Sequence, residues 1–182
     1  MWYNTNNMLR VERIDGNGVG MKEQKSTAAF VANGAIIAAL YVVLTMVFAP
    51  ISFGAMQVRV AEALTILPMF TPAAIPGLFI GCLLANILGG GIALDVIFGS
   101  LATLIGAVGA WLLRKKRWLV PIPAIVANTL IIPLVLRYGY GVDVPLVLQM
   151  VYIAVGEILG CGVLGQLLAS VLNSRDGIYK RT

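Results

Sequence analysis

The stretch "LLRKKRWLV", Leu112–Val120, places four consecutive cations between two long apolar runs, Ile92–Leu113 and Leu119–Leu136. Four adjacent charges cannot stay in hydrocarbon, so the chain must reach water here. Cationic loops of this kind collect on the cytoplasmic side of a membrane. Whether there is a membrane to cross is answered by the rest of the chain. Of its 182 residues 59% are hydrophobic and only 12% charged, with a mean hydropathy of +0.91. A soluble domain is roughly half apolar and a quarter charged. The composition is that of an integral membrane protein.

Working outward from Arg114–Arg117, further apolar runs appear at Ala28–Ala49, Val58–Phe70, Ala73–Leu88 and Pro145–Leu172. The breaks between runs, "PISFGAMQ", "TP", "GGG" and "RYGYGVD", are rich in turn formers or charge. One span needs about 20 residues, so the length holds at most six or seven spans and leaves no room for a soluble catalytic domain. The predicted fold is all-α, with six transmembrane helices. A second cationic group (Arg10, Arg13, Lys22, Lys25) precedes the first run, and a third (Arg175, Lys180, Arg181) follows the last. Six crossings put all three groups on one side, with both termini cytoplasmic. Arg59 and Arg137 are the exceptions on the outer side. The net charge of +5 is therefore a topology signal rather than a nucleic-acid patch.

The predicted organisation is a flexible cytoplasmic tail over residues 1–26, a transmembrane domain over 27–173 and a short cytoplasmic tail over 174–182. No signal-peptidase pattern precedes the first run, so it is read as a retained span. Met21 opens "MKEQKS", which would itself serve as an N-terminus. Val58–Phe70 would make only about 20 Å of α-helix against a core of about 30 Å. Span 2 is expected to be short or broken, and a re-entrant hairpin of spans 2 and 3 would leave the later spans unchanged in direction.

Small residues line several helix faces, as close helix packing in lipid requires. Span 3 carries Gly77, Gly81 and Ala85; span 4 carries Gly99, Ala102, Gly106 and Gly109; span 6 carries Gly156 and Gly160. Span 1 carries Ala28, Ala32, Ala35 and Ala39 at spacings of one helical face. That smooth face suits either a neighbouring helix or a partner protein.

Polar residues inside the runs are few: Arg59, Glu62, Asn86, Asp95, Asn128, Gln149 and Glu157. Ionisable groups in a membrane cost energy to insert and usually line a cavity or pathway. On the six-span topology these seven could converge on one pocket open to the outside, with "PISFGAMQ", Pro50–Gln57, as its gate and Gly54 permitting the bend. Three carboxylates against one arginine suit a cationic ligand, or one rich in N–H donors. Structural roles are also open to them. Arg59 and Glu62 are three apart and can pair; Asp95 can be a helix N-terminal charge; Asn86 and Asn128 can hydrogen-bond between helices. Glu157, in "VYIAVGEILGCG", Val151–Gly162, has no basic side chain near it in sequence.

The chain has no His, and Cys82 and Cys161 read as small buried hydrophobes. No metal or cofactor is expected. A phosphate-binding loop is absent from the sequence, so uphill transport would draw on an ion gradient or on a partner. A proton-coupled carrier with Glu157 as proton site is the alternative to a partner-driven module. A membrane enzyme is disfavoured, since no nucleophile–base pairing is visible.

Three stretches carry a family resemblance. "GAIIAALYVVLT", Gly34–Thr45, resembles the first helix of S components of energy-coupling factor (ECF) importers, in which a small-xxx-small alanine motif contacts the transmembrane T component; Ala35 and Ala39 match it. "MQVRVAEALTILPMFTPAAIPGLFIGCLLANILGG", from Met56, and "DVIFGSLATLIGA", from Asp95, are similar to the QueT branch, the proposed queuosine-precursor transporters. The resemblance covers about Lys22 to Leu172. It implies an S-component-like bundle with cytoplasmic termini, a T component and two cytosolic ATPases as partners, and no ATP hydrolysis in this chain. It further implies a 7-aminomethyl-7-deazaguanine-like ligand captured from outside, and toppling of the whole subunit driven by the partners.

Overall fold

The structure, a computed structural model, describes residues 19–53 and 57–179. The first 18 residues of the expected N-terminal tail, Gly54 of the expected gate and the last three residues lie outside them. The described residues form helices and turns with no strand. Helix α1 spans Val19–Val47, α2 Val60–Met69, α3 Ala74–Leu88, α4 Ala93–Leu112 and α5 Ile122–Tyr138. The last helix, α6, is composite: α-helical over Leu146–Glu157, π-helical over Ile158–Leu164, and α-helical again over Gly165–Tyr179. Helix thus takes in the last eight residues of the tail drawn to residue 26, and runs past the boundary drawn at 173. Ala49–Ser52 adds one helical turn to the expected gate loop.

Four stretches are long and apolar enough to cross a membrane: Thr27–Val47, Ala93–Leu112, Arg117–Tyr138 and Leu146–Ser174. The other two predicted spans, α2 and α3, are shorter apolar helices. Large apolar side chains such as Val31, Ile36, Val43, Ile97, Val126 and Val171 are exposed on the outside of the bundle. Lipid is the solvent that makes such a surface stable.

Helix α2 is short, as its run length predicts, but its winding is not one the sequence anticipates. It is wound as a 3-10 helix, with Pro68 inside it and no N–H to give there. Thr65 Oγ1 donates to the Glu62 carbonyl at 2.6 Å, a bond that spans the same three residues as the winding. At about 2.0 Å per residue this form is longer than an α-helix of equal count, yet ten residues still give only about 20 Å. The helix survives because it is enclosed: Ala61 to Ile66 and Pro68 are buried, against α1, α3, α4 and the π-helical and last parts of α6. Irregular backbone at membrane depth is tolerated where protein surrounds it.

The glycine faces serve helix contacts. A Cβ on Gly77 of α3 would stand 2.6 Å from the Gly34 carbonyl oxygen of α1, and one on Gly106 of α4 would stand 2.7 Å from the Ala124 side chain of α5. Gly77→Ala is therefore expected to force α1 and α3 apart and cost about 1–3 kcal/mol, read as a lower midpoint of thermal unfolding in detergent. An unchanged midpoint would contradict this packing.

The two ends of the bundle differ. At one end, the α1–α2, α3–α4 and α5–α6 connections surround a cleft. At the other, Ile66, Ala110, Val120 and Ala169 form an apolar cluster. There Arg117, the last cation of the opening stretch, donates to the Gln166 Oε1 and carbonyl at 2.9 and 2.8 Å and to the Ser170 hydroxyl, both on α6.

Candidate functional site

All seven polar residues singled out from the sequence are buried, none more than 4% exposed. They lie in two tiers joined through Thr103 and Cys82: Thr103 Oγ1 reaches Cys82 Sγ at 3.3 Å, and Arg59 and Asn86 approach the same sulfur. The deep tier holds Glu62, Glu157 and Asn128. The upper tier holds Arg59, Asp95, Asn86 and Gln149.

In the deep tier, Glu62 Oε1 accepts hydrogen bonds from the Tyr41 hydroxyl of α1 and, at 3.3 Å, from Thr103 Oγ1 of α4. Glu157 Oε2 lies 3.1 Å from Cys161 Sγ, which also has Thr65 Oγ1 at 3.4 Å and Glu62 Oε2 at 3.9 Å. One ligating atom from each of Glu62, Glu157 and Cys161 falls within 4.8 Å of the others, so this set could hold a cation. Asn128 of α5 lies beside Glu157, with its amide nitrogen lacking a hydrogen-bond partner. Gly160 makes the tier possible: a Cβ there would sit 2.8 Å from the Arg59 carbonyl oxygen. Its absence lets α6 lie against the start of α2 and brings the two glutamates together. The π-helical segment begins at Ile158, directly after Glu157, where such insertions often mark functional sites.

In the upper tier, Arg59 does not pair with Glu62. Its guanidinium Nη2 stands 4.0 Å from Asp95 Oδ1, the single ion pair among the described residues, and it lies over the Phe53 ring at 5.8 Å. Asp95 is in the first turn of α4, and its Oδ2 accepts from the Tyr140 hydroxyl at 3.0 Å. Partial burial and the nearby Asp95 carboxylate push the Tyr140 phenol up, so it remains a donor, against the opposing effect of the Ile92 N–H it accepts. Asn86 Nδ2 reaches the Asp95 carbonyl at 3.3 Å and Cys82 Sγ at 3.6 Å. Gln149 Nε2 donates to the Val142 and Val144 carbonyls at 3.2 and 3.1 Å.

A cleft of about 400 Å³ opens on this tier, lined among others by Asp95, Gln149, Gln57, Phe53, Tyr140 and Tyr152. Gln57 adopts φ 43°, an unusual backbone for a side-chain-bearing residue and one found often at functional sites. A second hollow, of about 340 Å³, is lined only by apolar side chains of α4 and α5 and offers nothing to orient a solute.

Several of these groups have an unmet hydrogen bond. Buried polar atoms without a partner include Arg59 Nε and Nη2, Asn86 Oδ1, Asp95 Oδ1, Asn128 Nδ2 and Gln149 Oε1. Leaving such atoms unpaired costs about 1–3 kcal/mol each, and five of the seven predicted residues carry one. A polar ligand would satisfy them.

Sequence reasoning missed Tyr41, Thr103 and Cys161, and the cleft residues Phe53, Tyr140 and Tyr152. Tyr41 had a signal: it continues the Gly34–Ala38 face of α1, at spacings of four and three. Cys161, four residues after Glu157, is placed on the same helix face. It is buried as expected, but its thiol faces carboxylates, which a purely apolar role does not explain.

Residues 31–174 match the family model for the QueT transporter. Over 84 residues the chain is 40% identical to the queuosine precursor transporter QueT of Lactococcus lactis subsp. cremoris (strain MG1363), a match covering 45% of this chain and 49% of that protein. The chain thus matches about half the length of that curated relative. No solved structure matches.

Proposed function

The chain belongs to the QueT transporter family and is a multi-pass membrane protein, and on that premise we propose that it is the substrate-binding S component of an ECF-type importer. It captures a 7-aminomethyl-7-deazaguanine-like queuosine precursor from outside. The observation that carries this reading is the set of buried, unpartnered polar atoms on Arg59, Asn86, Asp95, Asn128 and Gln149 around an acidic interior. A deazaguanine supplies N–H donors and a carbonyl on one edge and a cationic arm on another. Glu157 and Glu62 or Asp95 divide the N–H edge and the ammonium between them.

The chain crosses six times, with α2 and α3 as short crossings enclosed by the longer ones. Support comes from the two ends: alternate connections gather at the cleft, and Arg117 packs at the opposite end. With the cations cytoplasmic, the cleft opens outward and both termini are inside. ATP is hydrolysed by two cytosolic ATPases, reached through a T component seated on Ala28, Ala32, Ala35 and Ala39, whose side chains are all exposed.

The purified chain is expected to bind 7-aminomethyl-7-deazaguanine, and to co-purify with a larger membrane subunit and ATPases when expressed with them. Absence of binding would overturn the substrate. Uptake by liposomes carrying this chain alone would overturn the ECF reading in favour of a self-sufficient carrier.

A further inference from the structure

Arg59 is the anomaly of an acidic site. It is 4% exposed, and its Nε and Nη2 have no hydrogen-bond partner. The contacts it has are weak: Cys82 Sγ at 3.9 Å from Nη1, Asp95 Oδ1 at 4.0 Å from Nη2, and the face of Phe53. Five donors in a fixed fork are thus left largely unused. Phe53 and Asp95, two of the three groups beside the guanidinium, line the cleft. Glu62 follows one 3-10 turn later, its N–H bonded to the Arg59 carbonyl at 3.0 Å.

Unused guanidinium donors call for an acceptor, either an anion or a neutral carbonyl. The surroundings decide between them. Asp95, Glu62 and Glu157 are the acidic groups of the site, and Arg59 is its one cation, so an anionic ligand would meet net negative charge. A neutral carbonyl takes the same donors without that repulsion.

We propose that Arg59 is a specificity residue that reads a carbonyl oxygen of the ligand. Arg59 and the deep carboxylate that takes the two parallel N–H groups then complement an edge that runs acceptor, donor, donor, the O=C–NH–C–NH2 edge of a guanine-type ring. Phe53 offers the flat ring a face to stack on. This rests on the substrate class proposed above and adds what the carboxylates cannot supply: a reason for the site to require the 6-oxo group.

The test compares 7-deazaguanine ligands with their 6-thio counterparts, which keep both N–H groups and weaken only the acceptor. Binding is measured on the full chain in detergent. The parent is expected to bind the 6-oxo ligand about tenfold more tightly, and Arg59→Met, which removes every donor, to reduce that ratio to about one while binding both ligands more weakly. Arg59→Lys, which keeps a donor but not the fork, should retain an intermediate ratio. The ratio is internal to each protein, so a general loss of packing does not imitate the result. A parent that binds both ligands equally, or an Arg59→Met protein that keeps the tenfold preference, overturns the role of Arg59 and leaves the substrate class standing. A parent that binds neither overturns the substrate class, and this inference with it.

Discussion

Glu157→Gln is expected to weaken binding of 7-aminomethyl-7-deazaguanine by about 100-fold, and Glu62→Gln by a similar factor. Glutamine keeps the volume of the side chain but replaces an accepting oxygen with a donating NH2 group. A ligand N–H would then face a donor, and the charge that strengthens the bond would be gone. Hydrogen bonds to charged groups contribute about 1.5–3 kcal/mol, so loss of one gives roughly tenfold to 150-fold. The two variants should differ in stability. Glu62 also holds the Tyr41 hydroxyl and Thr103, joining α1 and α4 to α2. Glu157 touches Cys161 one turn along its own helix. Glu62→Gln should therefore lower the unfolding midpoint more than Glu157→Gln. Equilibrium binding and thermal unfolding on the same preparations check both points. If both variants bind as tightly as the parent, the carboxylates do not hold the ligand and the site is elsewhere.

The sequence carried the membrane character of the chain because apolar length and cation placement are direct responses to lipid. It carried the candidate residues for the same reason: a polar group inside an apolar run is costly, and all seven are buried. Geometry between distant segments was not legible. The three-residue spacing of Arg59 and Glu62 suggested a pair, but the arginine reaches Asp95 on α4, a contact that depends on how α2 is lodged. The 3-10 winding of α2 was also hidden. An apolar run of ten residues with one proline is compatible with several windings, and the enclosing helices select among them. The π-helical segment after Glu157 has no compositional mark at all.

The proposed partner face gives the second large effect: Ala35→Trp together with Ala39→Trp should abolish co-purification with the proposed T component while leaving ligand affinity within about twofold. The argument is the two-faced character of α1. Gly34, Ala38, Tyr41 and Thr45 are buried on one face; there Gly34 accepts the close approach of Gly77, and Tyr41 reaches Glu62. Ala35 and Ala39 are exposed on another. Large side chains there project from an exposed face, where lipid takes an indole at little expected cost to the fold. A partner helix packed through small residues needs backbones close together, and two indoles one turn apart prevent that approach. Gly34→Trp is the contrasting variant: it strikes the buried face and should lower the unfolding midpoint and ligand binding together. The pair thus separates assembly from capture on a single helix. If the double tryptophan variant still co-purifies with its partners, α1 does not carry the interface, and the alanine face serves lipid alone.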